Sequence, residues 1–219
     1  MGPGVEGARV RGGDASGVRY SAEVSSDYWL TTERLGLRRF TEDDLDWLTT
    51  LYRNENVTRH LGGRRDPADV GEMLRVRVLE YYERHPGLGI WMTVERETRT
   101  RIGFHLLNHI QGESLIQVGF VLDQPAWGRG YGTEMALPVL RYAFRDLGLA
   151  RVHAMATLEN LASQRILTKI GLHRNGERAF PHPAYVEAGP MAWFERDKDA
   201  WLAERGTENV DLGTGNRER

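Results

Sequence analysis

The sequence predicts a single α/β (α+β) domain, and three observations carry that reading. Runs with a period of two alternate with runs of helical spacing, in the order strand, two helices, a strand meander, then strand–helix units. A length of 219 residues gives one domain a sizeable core and is short for two. An apolar share of 40% beside a charged share of 27% suits a globular chain rather than a disordered one.

Each element has its own local signal. Residues 1–27 are rich in Gly, Ser and charge without periodicity, and read as a flexible extension. The folded domain is expected over 28–198, followed by a tail over 199–219 that is polar from Gly206 onward. RLGLRRF (34–40) alternates as a short strand. Thr41 precedes EDDLDWLTTLYRN, whose acidic first turn and apolar Leu45, Leu48 and Tyr52 predict an N-capped amphipathic helix. A second helix is expected from Asp66 to about Arg84. GIWMTVERE and RIGFHLL read as strands joined by a polar turn near Thr98–Thr100, and LIQVGFVL (115–122) as the third strand of the meander. Met135, Val139, Leu140 and Phe144 mark a helix from about Gly130 to Leu147, in which Pro138 should bend the axis or remove a hydrogen bond. RVHAMAT (151–157) is a strand, ENLASQRILTKIGL a helix stopped at Gly171, and two more strands fall near 172–179 and 190–196.

Composition narrows the function. A net charge of −2 provides no basic field for nucleic acid. No apolar run approaches the roughly 18–20 residues that cross a bilayer, so no membrane partner is expected. The first residues lack the apolar stretch of a signal peptide, which leads us to expect a cytoplasmic location. The absence of cysteine excludes disulfides, cysteine zinc sites and a cysteine-bound acyl intermediate. No metal is expected.

The densest motif is QPAWGRGYGTEMA (124–136), a glycine loop between a strand and a helix. A helix N-terminus offers N–H groups without partners and partial positive charge, and missing side chains let an anion approach the backbone. A tight turn needing positive φ angles explains the same glycines without a ligand. The loop is neither a Walker loop, since no Lys-Ser or Lys-Thr follows, nor the G-x-G-x-x-G fingerprint.

With NLASQRILTKIGL placed after the next strand, the order strand–glycine loop–helix–strand–helix resembles the GNAT family of acetyl-coenzyme-A-dependent N-acetyltransferases. The likeness runs from about Thr32 to Arg196 and is greatest to the branch that acetylates ribosomal-protein N-termini (RimJ/RimL-type), whose opening is matched by TERLGLRRFTEDDLDWL. The resemblance implies one GNAT-like domain with a mixed, mostly antiparallel sheet flanked by helices, working as a monomer or homodimer. It implies acetyl-CoA as co-substrate and, as acceptor, a primary amine on a peptide N-terminus or a small molecule. On it, Arg129, Gly130, Tyr131, Gly132 and Thr133 wrap the pyrophosphate, with charge added by Arg129. Phe120 and Leu122 lie beside the pantetheine arm, and a backbone N–H near Val121 holds the oxyanion. Trp127 stands where the family more often has Gln or Arg.

Asn160 reads as a helix N-cap, to which the resemblance adds a hydrogen bond to pantetheine. Many members carry a tyrosine acid seven residues after this asparagine. Here that position is Leu167, and the resembled branch implies Ser163, on the same helical face as Asn160, as the alternative acid. The base is open. Gln117 stands where the branch often has Glu, and His105, His109, Glu113 and His153 are the other candidates beside a water chain. Trp29, Tyr52, Trp91 and Tyr185 are candidates for the acceptor pocket or for the core. A catalytically silent acyl-CoA sensor or scaffold and a phosphate-loop nucleotide binder are the rival functions.

Overall fold

The computed structural model describes residues 19–20, 28–63 and 65–208, and of 19–20 and 205–208 the backbone alone. Among these residues the strands are β1 (Arg19–Tyr20), β2 (Leu30–Thr31), β3 (Leu35–Arg39), β4 (Gly89–Glu95), β5 (Thr100–His109), β6 (Ile116–Leu122), β7 (Arg151–Thr157), β8 (His173–Arg178) and β9 (Met191–Asp197). They form one sheet in the order β1-β2-β3-β4-β5-β6-β7-β9-β8. Neighbours are antiparallel except β6 and β7, which run parallel and pair only at Gln117 and His153. A parallel step needs a crossover, and α5 (Tyr131–Arg145) supplies it.

The helices follow from capping and periodicity. Thr41 opens a short 3-10 turn that runs into α1 (Leu45–Arg53), and its N–H donates to the Asp44 carboxylate at 3.0 Å. Arg38 bonds that buried carboxylate through both nitrogens at 2.7 and 2.8 Å, and Arg101 adds a third bond at 3.1 Å. After α2 (Glu55–Thr58), Asp66 and Pro67 open α3 (Pro67–Met73), which passes through a π-helical stretch, Leu74–Leu79, into α4 (Glu80–Arg84). α5 is continuous through Pro138, so the effect of the ring is to deprive the Glu134 carbonyl of a donor. Its buried Met135, Val139, Leu140 and Phe144 pack onto β5 and β6. α6 (Leu161–Lys169) packs on α5, and α7 (Pro183–Val186) sets its Tyr185 against Phe180.

The carboxyl end differs from the expected tail. Residues Lys198–Glu208 form α8, whose Trp201 is 1% exposed, packs on Phe144 at 5.4 Å between centroids, and donates Nε1–H to the Ile170 carbonyl at 3.1 Å. A single buried aromatic therefore extends the folded unit past 198. Residues 209–219 and, apart from Arg19–Tyr20, the N-terminal extension lie outside the described residues.

Candidate active site

Because β6 and β7 share one pair and then part, the sheet opens at its centre. Two cavities lie on either side of this opening. One, of about 460 Å³, is walled by Phe120–Leu122 of β6, the glycine loop, and Asn160 and Ile166. The other, of about 210 Å³, is walled by Tyr52, Arg65, Arg77, Gln117, Met155 and Tyr185 among others. His60, Leu61, Phe120, Val121 and Ser163 line both, so the chambers meet there.

Strand pairing decides which backbone groups face the opening. Asp123 donates its N–H to the Ile102 carbonyl of the β5 side at 2.9 Å, and the register from Leu122 back to Ile116 is unbroken. Antiparallel alternation then turns Val121, Gly119 and Gln117 toward β5, and Leu122, Phe120 and Val118 toward the gap. The N–H of Val121 is therefore spent on β5, a correction to the expected oxyanion donor. Beyond the single β7 pair at Gln117, the N–H groups that this register turns toward the gap are those of Phe120 and Leu122. The Leu122 carbonyl accepts from Trp127 Nε1 at 2.8 Å, which fixes the strand end to the loop.

The glycine loop has the conformation its sequence requires. Gly128 and Gly130 have φ of +73° and +80°, the left-handed region. Gly132 is different: a Cβ there would sit 3.0 Å from Ile166 Cδ1 and 3.5 Å from the Phe120 ring, so its role is close approach of α5 to α6 and β6. The first intrahelical bond of α5 runs from Glu134 N–H to the Gly130 carbonyl, leaving the N–H groups of Tyr131, Gly132 and Thr133 without helical partners at the chamber wall.

Arg129 and Tyr131 correct the expected picture in part. The Arg129 guanidinium is 2.8 Å from Glu95 Oε1 and is not part of the chamber wall. Tyr131 also donates its hydroxyl to Glu95, and its ring lies between the guanidinium groups of Arg34 and Arg129, 4.5 and 4.6 Å from its centroid. Hydrogen bonds from Tyr131 and Thr98, with Arg129 beside them, hold Glu95 below the usual carboxylate range. Arg34 further binds Glu134 through Nε at 2.7 Å and the Arg129 carbonyl at 3.1 Å. These side chains brace the loop, while its backbone faces the chamber. The cations on the chamber wall are Arg59, beside His60, and Arg165 and Lys169, one helical turn apart on α6; the motif reading missed all three. An apolar strand wall, N–H groups at a helix start and three lining cations suit a coenzyme with an apolar arm and phosphates.

Asn160 caps α6 as expected, its Oδ1 accepting from Ser163 N–H at 3.0 Å. This contact sets Ser163 where the chambers join, and no described group bonds its hydroxyl. Leu167 is buried and closes the second chamber. The candidate bases separate clearly. His105 is fully buried against Thr93 Oγ1 at 2.7 Å, and burial takes its pKa down to about 3, slightly opposed by the Gly132 backbone. His109 binds the Tyr81 hydroxyl at 2.6 Å, Glu113 pairs with Arg178 at 2.6 Å, and His153 is buried against Trp193. None of the four lines either chamber. Gln117 does, with its amide on Asn108 at 3.2 Å. The group that was missed is His60. Its Nδ1 lies 2.8 Å from Thr157 Oγ1, and burial, aided by Arg59, lowers its pKa from the usual value. Of the four aromatics proposed for the acceptor, Tyr52 and Tyr185 line the second chamber, whereas Trp29 and Trp91 stack on each other at 4.4 Å away from it.

Among the described residues no His, Asp and Glu gather as a metal cluster, and no helix is long and apolar enough to cross a membrane. Residues 34–173 match the family model described as an acetyltransferase (GNAT) domain. An uncharacterised N-acetyltransferase of Bacillus subtilis, YoaA, is 31% identical over 153 residues, covering 67% of this chain and 84% of that protein. The fold is shared with aminoglycoside acetyltransferase AAC(6')-Ib solved with coenzyme A, at a TM-score of 0.64 and 20% identity over 78% of this chain and 99% of that one. It is also shared with a chain from Vibrio cholerae described as a ribosomal-protein-serine acetyltransferase, at a TM-score of 0.62 and 19% identity over 76% and 95%. The glycine loop at the start of α5 and the matched sequence agree: the chain belongs to the GNAT family of acetyl-CoA-dependent N-acetyltransferases.

Proposed function

We propose that the enzyme acetylates α-amino groups, on a peptide N-terminus or a small molecule, by direct attack of the amine on bound acetyl-CoA. The observation that carries this reading is the meeting of the two chambers at His60 and Ser163. The first chamber takes the coenzyme, with Gly130, Tyr131, Gly132 and Thr133 offering backbone N–H groups to its pyrophosphate and Arg165 and Lys169 to its outer phosphate. Asn160 and the β6 edge hold the pantetheine amides. The coenzyme supplies the acetyl group as a reactive thioester. The N–H of Phe120 or Leu122 holds the negative charge that develops on the carbonyl oxygen. Ser163 Oγ donates its proton to the departing sulfur, and His60, held by Thr157, takes the proton that the amine loses. The motif resemblance and the fold shared with the Vibrio cholerae chain support a place near the ribosomal-protein N-terminal branch.

The proton balance supports an α-amine. A lysine, with a pKa of about 10.4, is neutral in only about one molecule per thousand at pH 7.4, whereas an α-amine near 7.7–8.0 is about 20–30% neutral. A histidine with a lowered pKa is a weak base, and Gln117 replaces the carboxylate that could assist it. Matched peptides test this: one with a free N-terminus and blocked lysine, the other reversed. The first should be acetylated faster at pH 7.4. Faster acetylation of the lysine peptide would overturn the assignment, and coenzyme binding without acetylation of any amine would identify a silent sensor instead.

A further inference from the structure

The second chamber carries a charge imbalance that the chemistry above does not use. Among the described residues two arginines line it, Arg65 and Arg77, and no Asp or Glu does. Arg77 projects from the π-helical stretch Leu74–Leu79 between α3 and α4. Its polar partner among the described residues is the neutral Gln111, whose side-chain oxygen, in the orientation that satisfies both groups, accepts from Nη2 at 2.8 Å and Nη1 at 3.3 Å. Gln111 is itself held through its N–H by the Tyr185 hydroxyl at 3.2 Å. Arg65 lies over the Tyr52 ring at 5.8 Å, and its buried Nε has no hydrogen-bond partner among the described residues.

Burial pushes the Arg77 guanidinium below its usual value, and Arg65 adds repulsion. A desolvated cation without a counter-charge is costly, and two that repel each other cost more. Elsewhere the chain pairs such groups readily: Arg38 and Arg101 share Asp44, and Arg178 takes Glu113. An anionic group on the acceptor would supply the missing partner, and arginine binds carboxylates through two parallel bonds. The same two cations would repel a polyamine or an aminoglycoside. A cavity of about 210 Å³ lies below the range of about 300–1,000 Å³ usual for drug-sized ligands, which fits a small acceptor.

We infer that the acceptor is a small α-amine bearing a carboxylate, held by Arg65 and Arg77 with its amine directed at the chamber junction. The inference rests on the proposed α-amine acetylation and narrows it. The reaction itself balances without further reagents. The amine nitrogen forms a bond to the acetyl carbon, the carbon–sulfur bond breaks, and the proton lost by nitrogen balances that gained by sulfur.

The test compares dipeptides with their own C-terminal carboxamides, whose α-amines titrate alike, and with linear diamines, by thiol release and by product mass. Native enzyme should favour the carboxylate member by roughly tenfold or more in kcat/KM, the scale of one charge-assisted hydrogen bond. Arg77→Gln and, separately, Arg65→Gln should bring that ratio below about threefold, with coenzyme affinity measured alongside as the check on folding. Equal or faster acetylation of the carboxamides or diamines by native enzyme would overturn the inference and leave the acetyltransferase assignment standing. Thiol release with none of these amines, from protein that binds acetyl-CoA, would overturn the inference as well. The matched peptides above then decide whether α-amine acetylation survives.

Discussion

His60 and Ser163 are oriented by one hydrogen bond each, between imidazole Nδ1 and Thr157 Oγ1 and from Ser163 N–H to Asn160 Oδ1. The Asn160–Ser163 pair was legible in the sequence because a spacing of three along a helix is local geometry. His60 was not, because its anchor lies 97 positions away and a lone histidine in VTRHLGG carries no signal of that contact. Four plausible bases instead proved to be packing or surface groups, as the desolvated His105 illustrates. The His60 shift makes a prediction with a defined sign. Burial lowers its pKa below the usual 6.5, so the imidazole is neutral and able to accept a proton above that value, and loses this ability as pH falls through the lowered pKa. The acidic limb of kcat at saturating substrates should therefore lie below pH 6.5 in native enzyme. It should disappear in His60→Gln together with most of the turnover. An unchanged limb in that variant would remove His60 from the proton path.

At the scale of elements, the glycine loop matched its reading in the backbone and departed from it in the side chains. Left-handed φ at Gly128 and Gly130 follows from residue type, whereas the destination of Arg129 depends on Glu95, a residue on another strand that no local pattern reveals. The same limit explains α8. Its lone Trp201 becomes structural through Ile170 and Phe144, while the composition around it suggests a tail. The loop itself is the testable part. Gly130→Glu places a carboxylate at the helix start where phosphate is expected, on a residue whose φ of +80° already disfavours any side chain. Titration calorimetry should show acetyl-CoA affinity reduced by at least about a hundredfold, or roughly 3 kcal/mol, in protein that remains folded by circular dichroism. Native affinity in that variant would move the coenzyme away from the loop.

Across the whole molecule, the proposed function depends on a discontinuity in the sheet. The meander of β4, β5 and β6 and the crossover through α5 were readable from alternation and turn chemistry. The parting of β6 from β7 after one residue pair was not, since alternation marks strands and not their partners. Near that opening lie the two chambers proposed for coenzyme and acceptor, and Ser163 lines both. The most direct test of this arrangement is the turnover of Ser163→Ala beside its affinity for acetyl-CoA. Loss of the acid should lower kcat by about 10²–10⁴-fold, while the dissociation constant stays within about threefold of native, because the Ser163 N–H that binds Asn160 is retained. A kcat within about threefold of native would contradict the account, since proton delivery to the thiolate would then come from elsewhere.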